Sequence, residues 1–77
     1  MIKITLADGQ VLTGVNERDI IIQLKLEDFT GYNSVGDYQK NIAVRIKKFN
    51  GQQIKFRNDE DFLNELKRVG FISNIEK

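Results

Sequence analysis

The chain contains no proline, so every reversal of its backbone must be made by glycine, asparagine or aspartate, the residues that tolerate positive φ or bond their own backbone at a turn. Six glycines punctuate 77 residues. Asp8-Gly9, Asn50-Gly51 and Gly70 are the sharpest of these marks, and each follows or interrupts a run with a clear apolar period. The length allows one domain, residues 1–77, with one core and a narrow margin over the entropy lost on folding. With 40% apolar and 30% charged residues, the chain is too hydrophobic for disorder, and no apolar run approaches the ~20 residues of a membrane span.

Ile2, Ile4 and Leu6 alternate with Lys3 and Thr5, and Val11, Thr13 and Val15 alternate with Leu12 and Gly14 beyond Asp8-Gly9. This pattern predicts a β-hairpin with a two-residue type I′ turn, Leu6 opposite Val11 and Ile2 opposite Val15. After a polar turn at Asn16 to Asp19, the alternation of Ile20, Ile22, Leu24 and Leu26 predicts a strand. A helix capped by Asn16 is the competing reading, and it leaves Ile22 and Leu26 off the apolar face. Asp28 to Asn41 has no sustained period and is expected to be a long loop.

Ile42, Val44 and Ile46, then Ile54 and Phe56, predict a second hairpin. A three-residue loop, Phe49-Asn50-Gly51 with Gly51 left-handed, is the one that matches Ile46 with Ile54 and Val44 with Phe56. Asn58 is placed to cap a helix over residues 59–69, with three acids at its start, Lys67 and Arg68 at its end and Gly70 beyond. A short last strand follows from Phe71 to Glu76, with Phe71, Ser73 and Ile75 on one side and Ile72 on the other. The expected fold is therefore a small α+β domain of order β-β-β-β-β-α-β, a mostly antiparallel sheet or half-open barrel with one helix near the C-terminus.

The chain has neither cysteine nor histidine. That removes disulfides, thiolate chemistry, His-ligated metals and a general base titrating near neutrality. No carboxylate spacing reads as a calcium loop or a catalytic pair, and no glycine pattern reads as a phosphate loop. The expectation is a non-enzyme with no cofactor and no metal. Met1 to Leu6 alternates instead of placing a basic segment before an apolar block, so no secretory signal is read and a cytoplasmic location is expected.

Charge is sorted along the chain. From Tyr38 to Asn58 there are six basic side chains and no carboxylate, although the formal net charge is only +1. In the predicted second hairpin Arg45, Lys47, Lys55 and Arg57 share one face, with Lys48 and Phe49 at the tip, while Lys40 falls outside it. Like charges so close would be relieved by an anion. The first functional expectation is a binding module using Arg45, Lys47, Lys48, Phe49, Lys55 and Arg57 against nucleic acid or an acidic protein. The alternative is a protein-interaction or homo-oligomerising module, of the kind found among bacterial or phage accessory and inhibitory proteins, in which the basic face is merely solvated.

Over nine residues, Leu6-Ala7-Asp8-Gly9-Gln10-Val11-Leu12-Thr13-Gly14 resembles the first motif of Sm-like RNA-binding proteins, a hydrophobic strand turning through Asp-Gly toward a glycine. The second motif of that family does not follow Ile42, and the predicted helix stands near the other end of the chain. The sequence is assigned to no family on these residues.

Overall fold

The computed structural model describes residues 1–27 and 34–77; the part of the expected loop from Asp28 to Asn33 lies outside them. The described elements are β1 (Ile2–Leu6), β2 (Val11–Gly14), α1 (Glu17–Glu27), α2 (Val35–Asn50), α3 (Asp59–Arg68) and β3 (Ile72–Glu76). The strands form one sheet of order β2-β1-β3, antiparallel at both junctions. Ile2, Ile4, Leu6, Leu12 and Ile72 are buried while Lys3, Val11, Thr13 and Asn74 are exposed, so the helices cover one face. The expected five strands with a single C-terminal helix are replaced by three strands and three helices among the described residues.

The first hairpin forms, but its register differs by one residue from the two-residue turn expected. Ile2 faces Gly14 and Ile4 faces Leu12. The loop is Ala7-Asp8-Gly9: Gly9 N–H donates to the Leu6 carbonyl at 2.9 Å, and Leu6 N–H donates to the Gln10 carbonyl at 2.8 Å. Gly9 takes φ 93°, which is what a bulge glycine closing a three-residue hairpin requires. A one-residue slip exchanges the two faces of a strand, so Leu12 and Gly14 point inward and Val11 and Val15 face solvent.

On the other side of β1, Leu6 faces Ile72 and Ile4 faces Ile75, with a register shift between them. Ser73 is the extra residue, and its hydroxyl donates to the Thr5 carbonyl at 3.1 Å. The bulge brings Ile72 and Ile75 to the same side of the sheet, where plain alternation had put them on opposite sides.

The run Ile20-Ile21-Ile22 belongs to helix α1, not to the expected strand. Asn16 caps it: its Oδ1 accepts from Asp19 N–H at 2.9 Å, and Asp19 Oδ2 in turn accepts from Val15 N–H at 3.0 Å. Ile20, Ile21 and Leu24 are buried, while Ile22 and Leu26 lie outside the core. The intrinsic preference of isoleucine for strands is worth only tenths of a kcal/mol per residue, and capping plus burial of one helical face outweighs it. Helix α1 lies so close to β2 that a Cβ on Gly14 would stand 2.8 Å from Asp19 Oδ2 and 3.1 Å from Ile20 Cδ1. The glycine is what lets the helix sit there.

Residues expected as loop, strand and hairpin tip form the single helix α2. Ser34 is its N-cap, accepting from Asp37 N–H at 3.1 Å. Gly51 ends it with φ 71°, its N–H donating to the Lys47 carbonyl at 2.9 Å. Tyr38, Ile42 and Ile46 stand four residues apart and are buried, whereas Val44, which alternation had grouped with them, is exposed. Asn50-Gly51 is thus a helix stop of the left-handed kind. Beyond it, residues 52–57 belong to no helix and pair with no strand among the described residues; Ile54 is buried and Phe56 meets the Phe62 ring edge-on at 4.9 Å.

Helix α3 matches expectation. Asn58 Oδ1 accepts from Asp61 N–H at 2.8 Å. At the other end Gly70, at φ 89°, donates to the Lys67 carbonyl and Phe71 N–H to that of Leu66, at 3.1 and 2.9 Å, the two bonds of a Schellman motif. Phe62, Leu63 and Leu66 join Ile4, Ile20, Ile21 and Ile72 as the most deeply buried side chains.

Two glycine substitutions are expected to move stability in opposite directions in urea denaturation. Gly14→Ala loses about 1–3 kcal/mol through overpacking against α1. Gly36→Ala, inside α2 with nothing closer to its Cβ than the Ser34 hydroxyl oxygen at 3.8 Å, gains about 0.5–1 kcal/mol.

Candidate functional site

The cationic face expected of a second hairpin is not formed, because that hairpin does not exist. Arg45, Lys47, Lys48 and Phe49 lie on the last two turns of α2, and Lys55 and Arg57 on the connecting segment before α3. At about 100° per residue, Lys40, Lys47 and Lys48 fall within about 100° of arc on the outer side of α2. All three are exposed. The helix thus groups Lys40 and Lys48 with Lys47 and separates them from Lys55 and Arg57.

Most arginines serve the fold. Arg18 pairs with Asp59 at 2.8 Å, Arg57 with Asp61 at 3.2 Å and Arg68 with Glu65 at 2.7 Å. Lys77 reaches Glu60 at 2.6 Å and Glu17 at 3.5 Å. Glu65 also accepts the Lys55 amide at 3.1 Å, and Arg68 donates to the Gln53 carbonyl at 2.9 Å. The pair therefore fastens the strandless segment to α3. The Arg68 hydrogen bond, then that from the Lys55 amide, holds the Glu65 carboxyl below its ordinary value, while Arg68 is raised by the same bond. Lys77 is raised, chiefly by its hydrogen bond to Glu60. By contrast, no carboxylate among the described residues lies within 4.0 Å of the Lys40, Lys47 or Lys48 ammonium.

On another side of α2 from Lys40 and Lys47, a groove of about 430 Å³ runs between α1 and α2. Its floor is Leu6 at the end of β1, Leu24 of α1, and Tyr38, Ile42 and Ile46 of α2, with Phe71 closing one end. Glu27 stands on the α1 wall and Arg45 on the α2 wall; Glu27 Oε1 accepts from the Gln10 side-chain amide at 2.6 Å. Phe49, also part of the lining, is 81% exposed. A phenylalanine in the core would gain about 1.5–3 kcal/mol that this one forgoes.

Of the sequence-derived site residues, the groove brings together Arg45 and Phe49, with Lys48 adjoining both on α2. Leu6, Leu24, Tyr38, Ile42, Ile46 and Phe71 were not anticipated. The four-residue spacing of Tyr38, Ile42 and Ile46 is the signal in the sequence that bears on them. Chemically the site offers apolar burial beside cations. No group of three potential metal ligands occurs among the described residues, and none of their helices is long and apolar enough to cross a membrane. No protein-family model, curated protein or solved structure matches the chain.

Phe49→Ser is expected to leave the urea midpoint within about 0.5 kcal/mol of wild type. Ile42→Ala, which opens the buried groove floor, loses about 2–5 kcal/mol in the same assay.

The Glu65 staple gives a pH dependence. Because its carboxyl is lowered from 4.5 in the folded protein, the stability it contributes is present above that value and is lost as pH falls through the lowered one. The stability difference between wild type and Glu65→Gln, from urea curves at stepped pH, is expected to be constant toward neutrality and to shrink in acid.

Proposed function

We propose that this protein is a non-catalytic protein-interaction module, working in the cytoplasm, whose site is the α1–α2 groove with Phe49 at its rim. The exposure of Phe49 beside a concave apolar surface carries this reading. Aromatic side chains that anchor into or beside pockets dominate the energy of protein interfaces, and an apolar segment laid in a groove is a recurrent mode of peptide recognition. The absence of histidine and cysteine from the chain supports a role without catalysis.

The unpaired lysines of α2 favour a second reading, contact with an anionic polymer such as nucleic acid. There Lys40, Lys47 and Lys48 would meet phosphates and the groove would be a bystander. Three contacts to a single strand give a slope of about −2 in log K against log salt.

Amide NMR on the whole protein separates the two. Titration with small aromatic and branched aliphatic fragments is expected to shift Leu24, Ile42, Ile46 and Phe71 together. Shifts that are scattered, or absent from these residues, would count against the groove.

A further inference from the structure

We infer that Asn50 is a site of spontaneous covalent modification by water, and that the end of α2 sets its rate. The Gly51 nitrogen closes a succinimide on the Asn50 side chain, and hydrolysis leaves an aspartyl or isoaspartyl residue at the rim of the groove. This chemistry stands whether or not the groove is a binding site.

The first support is the residue pair and its surroundings. Of the seven asparagines in the chain, Asn50 is the one followed by glycine. Ring closure brings the next residue's backbone nitrogen onto the side-chain carbonyl carbon, an approach that a following Cβ hinders and that glycine leaves open. Asn50 and Gly51 are both exposed. A Cβ on Gly51 would meet nothing within 4 Å, so water reaches the junction.

The second support is the state of the side chain. Asn16 and Asn58 spend their Oδ1 atoms as helix caps, accepting from Asp19 and Asp61 N–H, and Asn74 Nδ2 donates to Glu76 Oε1 at 3.4 Å. The Asn50 side chain makes no hydrogen bond among the described residues. Nothing holds its amide away from the glycine nitrogen.

The brake is the helix stop. Gly51, at φ 71°, donates its N–H to the Lys47 carbonyl at 2.9 Å, so the proton that the attacking nitrogen must lose is held in a bond. The reaction waits for the last turn of α2 to open, and helix ends are where local opening costs least.

The step balances with water as the one co-reactant. The Gly51 nitrogen gives its proton to solvent and bonds to Asn50 Cγ, while the side-chain nitrogen takes up a proton and leaves as ammonia. Water then opens the ring at either carbonyl, giving aspartate or, with the backbone rerouted through the side chain, isoaspartate. Nothing is oxidised or reduced.

The product alters the site. Asn50 lines the groove together with Phe49 and Glu27. A carboxylate there stands at the negative end of the α2 dipole, where an anion is disfavoured, and it takes the formal net charge from +1 to zero. Isoaspartate also lengthens the backbone before Gly51, so the bond back to Lys47 no longer fits.

For the test, the full-length protein is held in mildly alkaline buffer and sampled by intact mass and peptide mapping, beside a synthetic peptide of residues 47–53. Each conversion adds about 1 Da as an amide becomes a carboxyl group. The folded protein is expected to react at Asn50 before any other asparagine, and about tenfold slower than the peptide, the protection of a fraying helix end. Lys48→Gly should react about fivefold faster than Lys48→Ala, since glycine loosens the last turn and the two variants carry the same charge. Asn50→Gln should abolish the conversion.

Equal rates in protein and peptide, or in the two Lys48 variants, would overturn the brake. First conversion at another asparagine, or a peptide that does not convert, would overturn the site. Amide NMR of the reacted protein is expected to shift residues 45–51 and leave Ile4 and Ile75 unmoved. Shifts throughout the sheet would show that the product unfolds the chain, and would overturn a change confined to the groove.

Discussion

The ladder between the first and last strands holds the rest of the fold in place. Lys3 faces Glu76 and Ile4 faces Ile75, so β1 receives its second neighbour only when the far end of the chain returns. Such a non-local closure is entropically expensive and is repaid by burial. All three described helices intervene between β2 and β3, so each must be laid down before the chain reaches β3. Ile4, wholly buried at the middle of β1, is where the two halves meet. The salt bridges of Lys77 to Glu60 and Glu17 then draw the end of β3 toward the starts of α3 and α1.

Helix α3 was legible because its signals are local and agree: a capping asparagine, acids at one end, a glycine at the other and an apolar stripe between. The hairpin was legible as a hairpin, but its register was not. Counting apolar residues favoured Val11 and Val15 inward; the structure turns Leu12 and Gly14 inward, because a bare backbone at residue 14 admits α1. That close approach is tertiary and leaves no periodic trace. The three-residue glycine loop reasoned for Phe49-Asn50-Gly51 is found at Ala7-Asp8-Gly9 instead. An Asn-Gly or Asp-Gly pair serves a hairpin or a helix stop with the same left-handed glycine, and only the period before it decides.

Short windows failed where two periods coincide. Ile42 and Ile46 satisfy both a strand, two apart through Val44, and a helix, four apart through Tyr38 and Ile46. The outer member Tyr38 resolves the ambiguity, and it had been assigned to a loop. For the site, the cations and Phe49 were recognisable as surface, since a run without carboxylates is visible in any conformation. Their grouping was not, because it depends on whether residues 40–49 are wound or extended. Winding divides the basic stretch into α2 lysines left without carboxylates and an Arg57 committed to Asp61.

The two walls of the groove are held differently. Helix α1 is keyed to β2 through Gly14, its Gln23 side chain donates to the Thr13 carbonyl at 2.7 Å, and its Arg18 reaches Asp59 of α3. Helix α2 packs chiefly on α1, and the segment that follows it is tied by Glu65 and Arg68 to α3 rather than woven into the sheet. The groove is consequently a seam between a fixed jaw and one that rests mainly on its neighbour. Neither helix wall pairs with a strand edge, and α2 is tied to α3 by the Gln39 side-chain amide, which donates to Asp59 Oδ1 at 3.2 Å, so the two walls of the groove share Asp59 as a common anchor.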